Sequence, residues 1–175
     1  MIRSFEGKTP RVADTAFVSE AAYVVGDVEI GEHSCVWFGA VIRGDLGKIT
    51  IGKNTIIEDN CVIHSGSPSL PPVQDVTIGD NVLFGHGAVS NGRKLGNNIL
   101  IGMNATILHD VEIGDYTVVA AGTVIKETTR IPDRSFVAGV PGEVKGPIGP
   151  QHDYWFTQSP RIYRDLADRF KREGL

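Results

Sequence analysis

The chain has 175 residues, 41% of them apolar, 21 glycines and a formal net charge of -4. That balance excludes a disordered polymer, which needs less apolar content and more net charge, and it argues against nucleic acid as the main partner. The length suits one main domain with a core built from Val and Ile.

The N-terminal stretch Met1–Lys8 has no apolar h-region, so no secretory leader is expected. No apolar run reaches the length of a bilayer span, so no membrane partner is expected. Two cysteines, Cys35 and Cys61, are too few for a disulfide framework. The expected compartment is the cytoplasm.

A six-residue repeat starts at Val12 and runs through Val18, Val24, Ile30, Val36 and Ile42. It resumes at Ile51, Ile57 and Ile63, and again at Ile78 and Phe84. With Val89 taken as the next position, one residue is missing there; the series then runs from Leu95 to Val137. Period six fits neither an amphipathic helix nor an alternating strand. It fits a coil with flat sides, three sides closing a turn of about 18 residues, so the series makes roughly seven turns. Coils stack by parallel pairing about 4.8 Å apart, and the repeated apolar residue points inward. The expected fold is all-β, a parallel β-helix of hexapeptide repeats with a C-terminal α-helix.

Gly follows the inward residue at Ile30-Gly31, Ile51-Gly52, Ile78-Gly79, Ile101-Gly102 and Ile113-Gly114, and Asn or Asp follows soon after. Both suit corners with positive φ or close backbone approach. Two segments break the period. Arg43 to Lys48 reads as an insertion of a few residues. Ser65 to Asp75, with Pro68, Pro71 and Pro72, reads as a longer loop. Loops thrown out of a solenoid tend to carry function.

Residues 1–145 form the expected β-helix, and residues 146–175 a linker and helix. Ser159-Pro160 reads as a helix start, with Ser159 as N-cap. Ile162, Tyr163, Leu166 and Phe170 share one helical face, and Gly174 closes the helix. Trp37, Phe38, Val41 and Ala88 are apolar beyond the inward column and mark flat faces suited to an oligomer interface.

The chemistry-bearing residues lie near the breaks. His64 is thirteen residues after Ile51 and Asn91 thirteen after Ile78, so the two stack in one column, one coil apart. His86 falls on another part of the coil and meets them only across a subunit boundary. His109, eighteen residues after Asn91, reads as the next member of the column. Two histidines and a third donor suffice for a catalytic zinc site. An isolated histidine at a solenoid corner is, as a rule, solvated or bonded to a backbone carbonyl. Glu58, six residues before His64, reads either as a further acidic group of the site or as an exposed carboxylate paired with Lys53 or Arg93.

The stretch Val36–Asp45 resembles the γ-class carbonic anhydrase signature around its Arg-x-Asp motif. Gly85–Val89 followed by Ile101–Ala105 is similar to that family's later signature. Val137–Pro141 matches its exit from the solenoid, and Tyr163 its Ser/Ala-x-x-Tyr segment. The resemblance covers nearly the whole chain. It implies a left-handed helix, a homotrimer and a metal, Zn or Fe, held between subunits by three histidines. It also implies a lyase that interconverts CO2 and bicarbonate. Two of the ligand positions are His64 and His86; the third is Asn91, where the family pattern has His. The metal is therefore expected to be weakly held or absent. The family's Gln beside the metal is Glu58 here, followed by Asp59, and its nearby Asn is Ile56. Glu58 and Tyr163 are the expected catalytic residues, while Arg43, Asp45 and Asp59 are expected at the subunit interface. Two alternatives stand beside this reading: a non-catalytic trimeric scaffold of the same family, and a hexapeptide-repeat acyltransferase.

Overall fold

The computed structural model describes residues 1–66 and 75–175. The Pro-rich loop expected between Ser65 and Asp75 therefore lies mostly outside the described residues. The chain winds as a left-handed parallel β-solenoid of about seven turns. One flat side stacks Phe17–Val18, Cys35–Val36, Ile56–Ile57, Val82–Phe84, Ile99–Ile101, Val118–Val119 and Ser135–Ala138. A second stacks Val62–His64, Val89–Ser90, Thr106–Ile107 and Val124–Ile125 on the first part of Val41–Ile51. The third stacks Val76–Ile78, Lys94–Leu95, Glu112–Ile113 and Arg130–Ile131 on its last part.

Each hexad buries two side chains. The larger is the repeated residue, including Val24, Ile42, Ile57, Phe84, Ile101 and Ile125, all nearly inaccessible. The second lies two positions earlier and is smaller at Ala22, Ala40, Thr55, Val82 and Thr123, while Ile99 matches Ile101 in size. A narrow triangular interior needs this large–small alternation to fill without voids. Among the small positions, Ser34 and Thr55 are satisfied by Gly52 and Gly79 carbonyls at 2.7 and 2.9 Å.

The corner glycines serve close approach. A Cβ on Gly79 would lie 2.5 Å from the Gly96 carbonyl oxygen of the next coil. Positive φ falls instead on the asparagines that follow, Asn54, Asn81 and Asn98. At the same corner, Asp80, Asn97, Asp115 and Asp133 each accept from a backbone N–H one coil away, at 2.7–2.9 Å.

Three sequence expectations are refined or corrected. The insertion at Arg43–Lys48 lies within the strand Val41–Ile51 as a bulge: Arg43 and Gly44 pair with Val25 and Gly26, and pairing resumes at Ile49 opposite Val28. The inward residue after Phe84 is Ser90, 1% exposed, and not Val89. The missing residue therefore falls between Ser90 and Leu95.

The third change concerns the C-terminal region. Glu143–Pro147 folds back antiparallel on Ser135–Ala138, so the expected linker begins inside a strand. A 3-10 turn at Pro150–His152 leads to α1 (Asp153–Thr157) and α2 (Ser159–Glu173). Gln158, in helical conformation, is the N-cap of α2, and Ser159 is already its first helical residue. The preceding helix supplies the turn that a serine cap would have started. Gly174 ends α2 at φ 78.

Tyr163, Leu166, Ala167 and Phe170 cover Phe17, Cys35, Trp37, Ile56 and Leu83, while Ile162 points to solvent at 49% exposure. Trp37 is thus covered by its own chain, and Ala88 is part of the core. Phe38 and Val41 remain accessible. Among the described residues no helix is long and apolar enough to cross a membrane.

Candidate functional site

The departures from period six cluster at one corner. Nine residues separate Ile42 from Ile51, fifteen separate Ile63 from Ile78, and five separate Ser90 from Leu95. All three lie where the second side turns into the third. The register places Arg43 beside His64, and with Ile63 opposite Ser90 it places Asn91 next in the column. Leu108, not His109, follows, because Ser90 pairs with Ile107 and one residue is missing after it. His109 instead lies 3.7 Å from Glu127.

At this corner the His64 ring is held on both sides. Nε2 lies 2.9 Å from Asp45 Oδ1. Nδ1 lies 3.3 Å from Arg43 Nη2 and 3.4 Å from Asn91 Nδ2. Arg43 and Asn91 can only donate through those nitrogens, so Nδ1 accepts and Nε2 carries the proton given to Asp45. Arg43 also pairs with Asp45. Burial by itself raises the Asp45 carboxyl; hydrogen bonds from His64 and Arg43 outweigh it and hold that group below the usual carboxylate range.

A second corner lies at the other end of the same side. Trp37, Glu58 and Gly85 occupy equivalent positions in successive coils, since their N–H groups bond Ile57, Phe84 and Ile101 carbonyls. Glu58 is 4% exposed. One oxygen accepts from the Tyr163 hydroxyl of α2, and Oε2 accepts from the His86 N–H at 3.1 Å. Gly85 serves the next coil: a Cβ there would lie 2.8 Å from the Met103 backbone nitrogen. Glu58 has neither partner considered for an exposed carboxylate: Lys53 pairs with Glu32, and Arg93 with Asp110 and Glu112. Burial, then the bond to Glu58, pushes the Tyr163 phenol well above its ordinary value, so it stays a donor.

His86 projects beside Glu58. Nδ1 lies 3.0 Å from Asp59 Oδ2, and Nε2 lies 3.4 Å from Glu58 Oε2. Asp59 Oδ1 also accepts the Phe38 N–H at 3.1 Å. Trp37, Phe38, Leu166 and Phe170 wall a cavity of about 200 Å³ over Glu58, Asp59, His86 and Tyr163. Sequence reading missed this cavity. The adjacent Trp37-Phe38 pair and the helical spacing of Tyr163, Leu166 and Phe170 were its available signals.

The structure brings His64, Asn91, Arg43 and Asp45 together, and separately His86, Glu58, Asp59 and Tyr163. Five residues separate His86 from Asn91, the chain turning at His86–Gly87 before it runs along the second side, so the span is at most roughly 16 Å at about 3.3 Å per residue. Among the described residues, one chain brings no three His, Cys, Asp or Glu side chains into a metal-holding group.

The donor chemistry nevertheless suits a divalent metal. His64 has Nε2 against Asp45 and His86 has Nδ1 against Asp59, the arrangement that orients metal-ligating imidazoles. The donors available to a metal are then Nδ1 of His64, Oδ1 of Asn91 and, in place of its 3.4 Å contact with Glu58, Nε2 of His86. Three donors are the number a catalytic zinc site uses. The amide oxygen is neutral and harder than imidazole, which weakens the set.

The family model described as "Bacterial transferase hexapeptide (six repeats)" matches residues 94–127, and "Hexapeptide repeat of succinyl-transferase" matches residues 75–109. The chain is 46% identical over 127 residues to the protein named "Probable carbonic anhydrase" of Methanocaldococcus jannaschii, covering 73% of this chain and 77% of that one. The chain belongs to the γ-carbonic anhydrase-like family. Within this family it is 37% identical to "Gamma carbonic anhydrase 2, mitochondrial" of Arabidopsis thaliana over 91% of its own length. It spans only 58% of that relative and 61% of the paralogue named gamma carbonic anhydrase 1.

The same repeats carry other names. "Carnitine operon protein CaiE" of Escherichia coli K12 is 31% identical over 95% of this chain and 82% of its own. A solved hexapeptide transferase family protein from Anaplasma phagocytophilum superposes with a TM-score of 0.88 at 29% identity over 97% of both chains. The γ-carbonic anhydrase-like fold is thus shared among differently named proteins, and the argument for chemistry rests on the site.

Proposed function

We propose that the chain is a carbonic anhydrase-like homotrimer with a weakened metal site between subunits, hydrating CO2 reversibly but slowly. The observation that carries this reading is the pair of carboxylate-held histidines, His64 on Asp45 and His86 on Asp59, at opposite ends of one flat side. Two copies are needed to bring them to one ion. His64 and Asn91 of one copy and His86 of its neighbour would hold Zn or Fe. When bound, that metal supplies Lewis-acid activation of water for attack on CO2.

The chain's own groups have separable tasks. Asp45 and Asp59 fix the imidazole tautomers. Tyr163 holds Glu58 from one side and the His86 N–H holds it from the other, leaving this carboxylate to orient water or accept its proton. Trp37, Phe38 and Phe170 keep bulk water from the approach. Arg43 and Asp45 lie on the corner that would meet the neighbouring copy.

A second reading has its own observation. Arg43 Nη2, 3.3 Å from His64 Nδ1, places a fixed cation on the nitrogen a metal would need. Under that reading the protein is a trimeric scaffold that keeps the fold without the chemistry. Elemental analysis of purified protein, with sedimentation to fix the subunit count, separates the two. The proposal expects a trimer with sub-stoichiometric zinc or iron that rises on metal addition. A monomer at micromolar concentration, or a trimer that takes up no metal, overturns it.

A further inference from the structure

The two ends of the solenoid are finished differently. At the C-terminal end the last inward residues, Ile125, Ile131 and Val137, are all buried. Glu143–Pro147 covers the first side there, and Val124 on the second side exchanges hydrogen bonds with Gly139 and Gly142. At the N-terminal end the first inward residues are Ile2, Val12 and Val18, in register with buried Val24, Ile30 and Val36. Ile2 is 41% exposed, and Val12 and Val18 are only partly buried. Phe5, in the tight turn after Ile2–Arg3, is 43% exposed.

The strand edges are open as well. The Met1 carbonyl accepts the Val24 N–H, and the Ala13, Phe17 and Ser19 N–H groups bond the next coil. Backbone groups alternate in direction along a strand, so those of Ile2, Val12 and Val18 point out of the end. Open edges around an apolar centre form a surface that another chain can cover.

The same features select the occupant. The C-terminal end is closed on two of its three sides, so head-to-tail stacking cannot match the open edges. The N-terminal end of a second copy, turned about a two-fold axis, brings three open edges of its own. The coil around this end carries both signs. Arg3 and Lys171, the latter bonded to the Thr15 carbonyl, stand among Glu6, Asp14 and Glu20. Among the described residues none of the five joins an ion pair, while Lys8 and Arg11 pair with Asp27 and Glu29 of the next coil. A surface of mixed sign can complement itself across a two-fold axis.

We propose that the N-terminal end of the solenoid docks the same end of a second copy, so that assemblies pair end to end. The proposed metal site joins neighbours along the second side, at coils beyond the first, and leaves this end free. A cyclic trimer sets its three ends at one level, so two trimers meet through three contacts at once. One end is small beside a standard interface, so pairing depends on concentration.

Sedimentation velocity on the full-length protein, from micromolar to near-millimolar concentration, tests this. The expected mass doubles on concentrating, from three chains to six, and grows no further. Doubling from one chain to two would support the pairing and sink the trimer; three chains at every concentration would do the reverse. Ile2→Glu and Phe5→Glu bring like charges together across the two-fold axis and weaken the doubling more than roughly tenfold. Val140→Glu, at the capped end and 72% exposed, leaves it unchanged. Circular dichroism verifies that the variants fold. In the wild type, the Val12 and Val18 amides exchange more slowly in the doubled form. The proposal is overturned by growth beyond doubling, or by doubling that is unchanged in folded Ile2→Glu or Phe5→Glu or lost in Val140→Glu. Amide exchange at Val12 and Val18 that ignores concentration overturns it too.

Discussion

The two corners at the ends of the second side are products of one six-residue rule and differ in how far the chain keeps it. At Trp37, Glu58 and Gly85 the rule holds, equivalent positions stack coil on coil, and α2 closes over them. The carboxylate there is buried, and its partners come from distant segments. At Arg43, His64 and Asn91 the spacing changes in three successive coils, and the charged groups stay partly open, with Arg43 47% exposed. The regular corner stores folding energy in a packed aromatic cluster. The irregular one leaves polar groups partly open, at the corner where the proposed trimer would bring a second copy.

The largest test of this contrast is Trp37→Ala. Truncating a fully packed indole costs about 3–5 kcal/mol. Urea unfolding reads that loss, and limited proteolysis is expected to cut first in α2, which loses its seat. A loss below about 1 kcal/mol would mean that α2 does not stabilise this corner. Next is Tyr163→Phe, which removes the donor to buried Glu58 and costs about 1–3 kcal/mol. An unchanged melting temperature would show that water replaces the hydroxyl without penalty.

The two corners were also unequally legible in the sequence. Period six gave the coil, the inward column and the pairing of His64 with Asn91, because strand register fixes which residues stack. It misplaced Ser90 and His109 for one reason: Val89 is apolar and Ser90 polar, so the missing residue was assigned one position too early. A small buried serine that bonds the Gly92 N–H at 3.2 Å carries no hydropathy signal. The insertion at Arg43–Lys48 was legible from the changed spacing, but not its form, a bulge inside a strand whose flanks pair with Tyr23–Ile30. Glu58 looked exposed because its cover, Tyr163, is 105 residues away. Periodicity within a coil is local; what lies over a coil is not.

At the irregular corner smaller effects on folding are expected. Arg43→Ala removes an exposed ion pair and changes the folding of one chain by no more than about 1 kcal/mol. Assembly is expected to weaken instead, read as dissociation on dilution in the ultracentrifuge. A variant that stays fully trimeric when dilute would remove Arg43 from the interface. The smallest expected effect concerns Cys35 and Cys61, whose thiols burial pushes up to about 12. Neither is expected to react with iodoacetamide at mildly alkaline pH until the protein is unfolded. Rapid labelling of Cys61 in the native protein would show that the side joining the two corners opens.

The most direct test of the weakened metal site is Asn91→His, measured beside the wild type for zinc and iron content and for CO2 hydration by stopped flow. Position 91 shares a column with His64, so the substitution adds an imidazole where an amide oxygen stood. The account predicts low occupancy and slow hydration in the wild type, with both raised in the variant. Full occupancy with rapid hydration in the wild type, or no gain in a folded variant, would contradict it.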